Sequence, residues 1–178
     1  VLTGGLSDIA VNYAATDGTV TTGATTASTQ NPAVVITVSD AANIAQFNTI
    51  NALTTSNVVL DGGLTDLAVN YAATDGTVTT GLTAATTQGP DVAITISDAA
   101  NIAQFNAIDA LTTSNVVLDG GLTDAAANYA ATDGTVTTGA TAASTQDPDV
   151  AITVSDSANI TQFNAIDALT TSDIVLSG

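Results

Sequence analysis

Hydrophobic and polar positions recur along this chain with a period of 58 residues. Tyr13, Tyr71 and Tyr129 fall at that spacing, and so do Pro32, Pro90 and Pro148. The copies run 1–58, 59–116 and 117–174, and residues 175–178 begin a fourth, as expected of a piece of a longer array. No linker or compositional shift separates them. Residues 1–178 therefore read as one continuous solenoid.

Three short β-rich runs recur within each copy: residues 92–97, 115–118 and 135–138. Their starts lie about twenty residues apart, the length of one coil in a leucine-rich-type repeat. Alternation puts Ile94 and Ile96 on one face and Thr95 and Ser97 on the other. Between the runs lie three connectors. In residues 99–111, Ile102, Phe105, Ile108 and Leu111 fall every third residue, which fits either a tight 3₁₀-like turn or a helix buried on more than one side. Asp98 stands just before this stretch as its expected N-cap. The second connector, residues 64–71, has Leu64, Leu67 and Tyr71 at helical spacing and ends in the Asp75-Gly76 turn. The third, residues 81–90, is rich in Thr and Ala and is expected to be a loop with at most one helical turn.

Strand, connector and strand in one direction predict parallel pairing with right-handed crossovers. The expected fold is an α/β repeat solenoid, with one parallel sheet, short helical or loop connectors, and leucine-rich-repeat-like coils of about twenty residues. Its ten strand segments would span roughly 45 Å. The rival is a three-sided parallel β-helix with one 58-residue coil per turn. Electrostatics favours the single sheet. In the β-helix Asp40, Asp98 and Asp156 would stack ~4.8 Å apart with no cation to pair them. In the single sheet they stand ~14 Å apart, beyond the ~8 Å Debye length.

Composition narrows the chemistry. The chain carries 17 Asp, a net charge of −17, and no Lys, Arg, His, Cys, Met or Trp. Glu is also absent. Without His, Cys, Lys or Glu there is no ordinary base for a serine nucleophile, no thiolate and no Schiff-base amine, so no enzyme is expected. Zinc sites lose their usual ligands. Nothing can neutralise phosphate, which argues against nucleic acid, and an anionic membrane would repel the surface. No membrane insertion is expected. Ala, Val, Ile and Leu supply enough apolar surface for the chain to fold rather than remain an acidic tail. The missing oxidisable side chains and trypsin sites suit a protein that persists outside a cell.

Asp with hydroxyls and amides suits hard cations such as calcium. Three Asp positions are filled in every copy: Asp8/Asp66/Asp124, Asp17/Asp75/Asp133 and Asp40/Asp98/Asp156. The first is expected in the first turn of a connector, the second in an Asp-Gly turn, and the third at an N-cap. Each has a structural explanation. Calcium is the one cofactor candidate, at Asp61 with Asp66 and at Asp119 with Asp124, two carboxylates flanking a Gly-Gly turn. Thr77 and Thr79 would point off one strand face, a pattern that suits glycan or ice recognition.

The run Ile36-Thr-Val-Ser-Asp-Ala-Ala-Asn-Ile-Ala-Gln-Phe-Asn48, repeated from Ser97-Asp-Ala-Ala-Asn-Ile102, resembles the repeats of very large secreted bacterial surface proteins, adhesin-like and matrix-like. The resemblance spans all three copies and implies an extracellular spacer, surface-layer or fibre role. It implies no functional residues. The expected function is a rigid structural module whose partners are neighbouring repeats of the same or identical chains. The alternative is a binding module for glycan, ice or a divalent cation through its Thr/Asp face.

Overall fold

In a computed structural model, residues 4–178 are described, and each copy follows one order of elements. The first copy has β1 (Leu6–Asp8), α1 (Ala10–Tyr13), α2 (Thr22–Gln30), β2 (Ile36–Val38), α3 (Ile44–Ala52) and β3 (Val58–Leu60). The second has β4 (Leu64–Asp66), α4 (Ala68–Tyr71), α5 (Thr80–Gln88), β5 (Ile94–Ile96), α6 (Ile102–Asp109) and β6 (Val116–Leu118). The third has β7 (Leu122–Asp124), α7 (Ala126–Tyr129), α8 (Thr138–Gln146), β8 (Ile152–Val154), α9 (Ile160–Asp167) and β9 (Ile174–Leu176).

These strands form three short parallel sheets of three strands each, ordered β1-β2-β3, β4-β5-β6 and β7-β8-β9, alternating with helices. It is a repeat-like α/β arrangement, with no closed barrel among the described residues. The single ten-stranded sheet is therefore corrected, and so is the twenty-residue coil. Leu6 pairs with Ile36 and Ile36 with Val58, offsets of 30 and 22 residues. The third sheet repeats this register, Leu122 with Ile152 and Ile152 with Ile174.

The chain divides into two compact units. One takes the chain up to Asp66 together with Thr79–Ile94 and Leu111–Ser114; the other takes Leu67–Val78, Thr95–Ala110 and Asn115–Gly178. Both are built alike. In the first, Ala42, just beyond β2, bridges in parallel to Leu64, so β3 and β4 lie successively along one neighbouring segment. In the second, Ala100 bridges to Leu122 in the same way.

Local chemistry explains the elements. Ile36 and Val38 in β2, and Ile152 and Val154 in β8, face the core, while Thr37 and Thr153 between them are half-exposed. β2, β5 and β8 each bury two β-branched side chains, as the alternation predicts. Ile102, Phe105 and Ile108 are buried along α6, with Gln104 beside them, which settles that connector as an α-helix with a broad buried face. Tyr13, Tyr71 and Tyr129 are buried and donate to the carbonyls of Thr37, Thr95 and Thr153. Burial pushes the Tyr13 and Tyr129 hydroxyl pKa values up, aided by the charges of Asp8 and Asp124.

Two expectations about connectors fail for identifiable reasons. Residues 64–66 are strand β4, and the helix shrinks to Ala68–Tyr71. Residues 81–88 of the stretch expected to be a loop belong to the nine-residue helix α5, started by the Thr79 hydroxyl accepting from the Leu82 amide at 3.3 Å. The same cap explains why the β-branched run at residues 135–138 is not a strand. Thr137 caps α8, and Val136 only bridges antiparallel to Ala130 across a tight loop.

Candidate functional site

The recurring polar feature of both units is a set of helix caps supplied from a distance. Helices α1, α4 and α7 have Ile9, Leu67 and Ala125 at their N-caps, and these side chains make no cap hydrogen bond. Instead Asp40, Asp98 and Asp156 accept the N–H of Ala10, Ala68 and Ala126, each at 2.6 Å and each 30 residues back along the chain. A carboxylate at a helix N-terminus meets both an orphan amide and the positive end of the helix dipole.

Asp98 was expected to cap the helix that follows it. That role belongs to Asn101, which accepts from Gln104 N at 2.8 Å while Gln104 Oε1 accepts from Asn101 N at 3.1 Å. This reciprocal capping box recurs at Asn43 with Gln46 and at Asn159 with Gln162. The three glutamines are buried, and their amides donate to the carbonyls of Ala14, Ala72 and Ala130. Among the described residues no buried polar side-chain atom lacks a partner.

Asp66 and Asp124 are likewise not in the first turn of a helix. They end strands β4 and β7. From there Asp66 Oδ2 accepts from the Ile44 amide at 2.9 Å and Asp124 Oδ2 from Ile102 at 3.0 Å, 22 residues back. Asp124 Oδ1 also takes the Ala125 amide and the Asn128 side chain. Asp17, Asp75 and Asp133 occupy Asp-Gly turns as expected. Each accepts from the amide two residues on, and that bond holds its carboxyl below the usual range.

Asp61 and Asp119 directly follow β3 and β6 in the turns carrying Gly62-Gly63 and Gly120-Gly121. Gly62 and Gly120 have no room for a Cβ, which would fall on the backbone of Asp40 and Asp98 respectively. Asp61 shares with Asp91 the wall of an open cavity of about 500 Å³, lined also by Gln88 and Val92. Among the described residues no group of three or more acidic side chains is placed to hold a metal ion. At the end of α8, burial and the neighbouring Asp149 push the Asp147 carboxyl up.

Thr77 and Thr79 do not form a strand face. The Thr77 amide donates to Asp75, and Thr79 caps α5. Hydroxyls do line a sheet elsewhere, where Thr123 stands in register with Thr153 and Thr153 with Val175. Sequence reasoning also missed Gln88 and Gln146. Their Oε1 atoms accept from the Val58 and Val116 amides, and their amides donate to Asn51 and Asp109. The signal available was a Gln 37 residues after a side-chain acceptor, Asn51 or Asp109, in both pairs.

No protein-family model matches the chain, and comparison with curated proteins and with solved structures found none similar to it.

Proposed function

We propose that this chain is a non-catalytic structural segment of an extracellular surface, fibre or matrix protein, in which the copies stack as one α/β solenoid. The observation that carries the reading is the use made of its carboxylates. Nine of the Asp side chains, at positions 8, 40, 98, 156, 66, 124, 17, 75 and 133, accept backbone amides. Five of those bonds span 22 or 30 residues, and two of these, Asp66 to Ile44 and Asp124 to Ile102, join one copy to the next. Side chains committed to holding the backbone leave little for substrate. The mechanism is mechanical: burial and hydrogen bonding that continue from copy to copy.

The stacked reading gives each copy two strand layers at ~4.8 Å, so each added copy lengthens the particle by about 10 Å. Small-angle scattering from polypeptides of two, three and four copies measures that increment. A maximum dimension that fails to grow by about that increment with each added copy would reject it.

The second reading is a binding module, favoured by the in-register Thr123 and Thr153. It predicts a glycan-array or ice-shaping signal lost on Thr123→Tyr with Thr153→Tyr. Blank assays with the unmodified protein remove it.

A further inference from the structure

A helix runs into a proline in every copy, and one of the three junctions carries chemistry that the others lack. Asn31-Pro32, Gly89-Pro90 and Asp147-Pro148 directly follow α2, α5 and α8. Each closes the same turn. The amides of Val34, Val92 and Val150 donate to the carbonyls of Asn31, Gly89 and Asp147 at 3.0, 3.1 and 3.2 Å. Those carbonyls are the acyl halves of the bonds to proline. A donor on such an oxygen stabilises the charge it takes up when its carbon is attacked. The proline nitrogen belongs to a tertiary amide, is more basic than an ordinary peptide nitrogen, and leaves more readily once protonated.

Only the third junction has a carboxyl on each side of the bond. The residue after the proline is Ala33, Asp91 and Asp149 in turn, and the residue before it is acidic only at Asp147. The Asp147 and Asp149 side chains hydrogen-bond across Pro148, which two carboxyls do only by sharing a proton. Burial, and then Asp149, holds the Asp147 carboxyl above the usual range, while the Leu118 amide acts the other way. The remaining carboxylates on the elements around it are Asp109, which accepts from the Gln146 side chain, and Asp119, next to Leu118. No side-chain cation competes for them, since the chain has no Lys, Arg or His. Asp147 is half-buried, while Pro148 and Asp149 are exposed, so water reaches the bond.

We propose that the Asp147–Pro148 peptide bond is a self-cleavage site. With the shared proton on Asp149, a carboxylate oxygen of Asp147 attacks its own backbone carbonyl carbon, and the Val150 amide holds the resulting oxyanion. The C–N bond then breaks. The Pro148 nitrogen takes the Asp149 proton and leaves as a secondary amine, and Asp147 is left as a cyclic anhydride. Water opens the anhydride, giving Asp147 two carboxyl groups and returning a proton to Asp149. One peptide bond and one water are consumed, one acid and one amine are formed, and no oxidant or cofactor is needed. Each chain reacts once, so the step is processing rather than turnover. It opens the chain inside the third copy, between α8 and β8.

Mass spectrometry of the 178-residue chain incubated across about pH 3–7 tests this, with circular dichroism marking the range in which it stays folded. The expected products are one fragment ending at Asp147 and one beginning at Pro148. Their rate of formation should peak where the pair holds one proton and fall on both sides. The Asn31-Pro32 and Gly89-Pro90 bonds, set in the same turn, should stay whole. Asp147→Asn should abolish the cut, and Asp149→Ala should slow it by about a hundredfold through loss of the proton donor. Both variants install residues that the first copy already carries in this turn, Asn31 and Ala33, so the fold is kept. Unfolded chains also break slowly at Asp-Pro in acid, so the same incubation in about 8 M urea should run about tenfold slower or more. No cut between Asp147 and Pro148, a cut as fast in urea, or an Asp149→Ala chain that cuts like the unmodified one would each overturn the proposal.

Discussion

Asp98 accepts the backbone N–H of Ala68 at 2.6 Å, closing a loop of 30 residues with one carboxylate. Helix α4 has four residues and no cap of its own, so its first turn depends on that oxygen. Asp98→Ala is expected to cost about 1–2 kcal/mol, at the upper end for an N-cap because the acceptor is charged. Asp98→Asn, which keeps an oxygen in place, should cost less. Urea titration of both variants checks the order, and equal losses would show that the charge, not the acceptor, matters.

Two glycines in equivalent helices should respond oppositely to one substitution. Gly81→Ala pushes a methyl to 2.6 Å from Ile44 Cγ2 and is expected to destabilise by about 1–3 kcal/mol. Gly23→Ala meets open space and should stabilise by about 0.5–1 kcal/mol through helix propensity. Denaturation midpoints of the two variants read the difference directly.

Gln104 is buried between two backbone groups, accepting from Asn101 N and donating to the Ala72 carbonyl. Gln104→Leu fills a similar volume but strands both. The expected loss is about 2–6 kcal/mol, from about one to three for each of the two buried groups left unpaired. A change below about 1 kcal/mol in urea would mean that water replaces the side chain.

Asp147 gives the chain a pH signature. Its carboxyl is raised in the folded state by burial and by Asp149, so the fold holds this proton more tightly than the unfolded chain does. Stability from this group is therefore present below the usual Asp range and is lost as pH rises through it. Asp147→Asn, the residue found at the equivalent Asn31, should raise the thermal midpoint at about pH 7 and leave it unchanged near pH 3. Asp133 has the opposite sign. Its lowered carboxyl contributes above the usual range and that contribution disappears on acidification.

Parts of this architecture were legible in the sequence. The runs containing Ile94-Thr-Ile96 and Val116-Val-Leu118 announce strands by β-branching and alternation, and α6 by its apolar spacing. The Asn101-x-x-Gln104 box was equally present but stood behind the more familiar Ser97-Asp98 signal. Thr137 failed for a different reason: a β-branched hydroxyl suits a strand and a helix cap alike, and only the amide of Ala140 decides between them. The long-range caps were beyond any local pattern. Nothing near Asp66 says that its partner is Ile44, because that pairing is set by how two strands and a helix stack.

Screening tests the charge balance of the whole chain. With −17 and no cation, folding concentrates like charge, so stability should rise with sodium chloride. Calcium and magnesium should help equally at the same ionic strength. A saturable calorimetric signal for calcium alone, lost on Asp61→Asn, would instead place a cation at that turn.

The central claim is that neighbouring copies hold one another together. Cut out alone, residues 59–116 lose Asp124 from the Ile102 amide, Gln146 from the Val116 amide and Ala42 from Leu64. They also expose apolar side chains worth roughly 1.5–3 kcal/mol each, against the ~5–15 kcal/mol that holds a typical domain. Urea unfolding of polypeptides with one, two, three and four copies measures this coupling directly. One copy should be largely unfolded or self-associated, two marginal, three stable, and the midpoint should still climb at four. Equal midpoints from one copy to four would contradict the account and leave a string of independent domains.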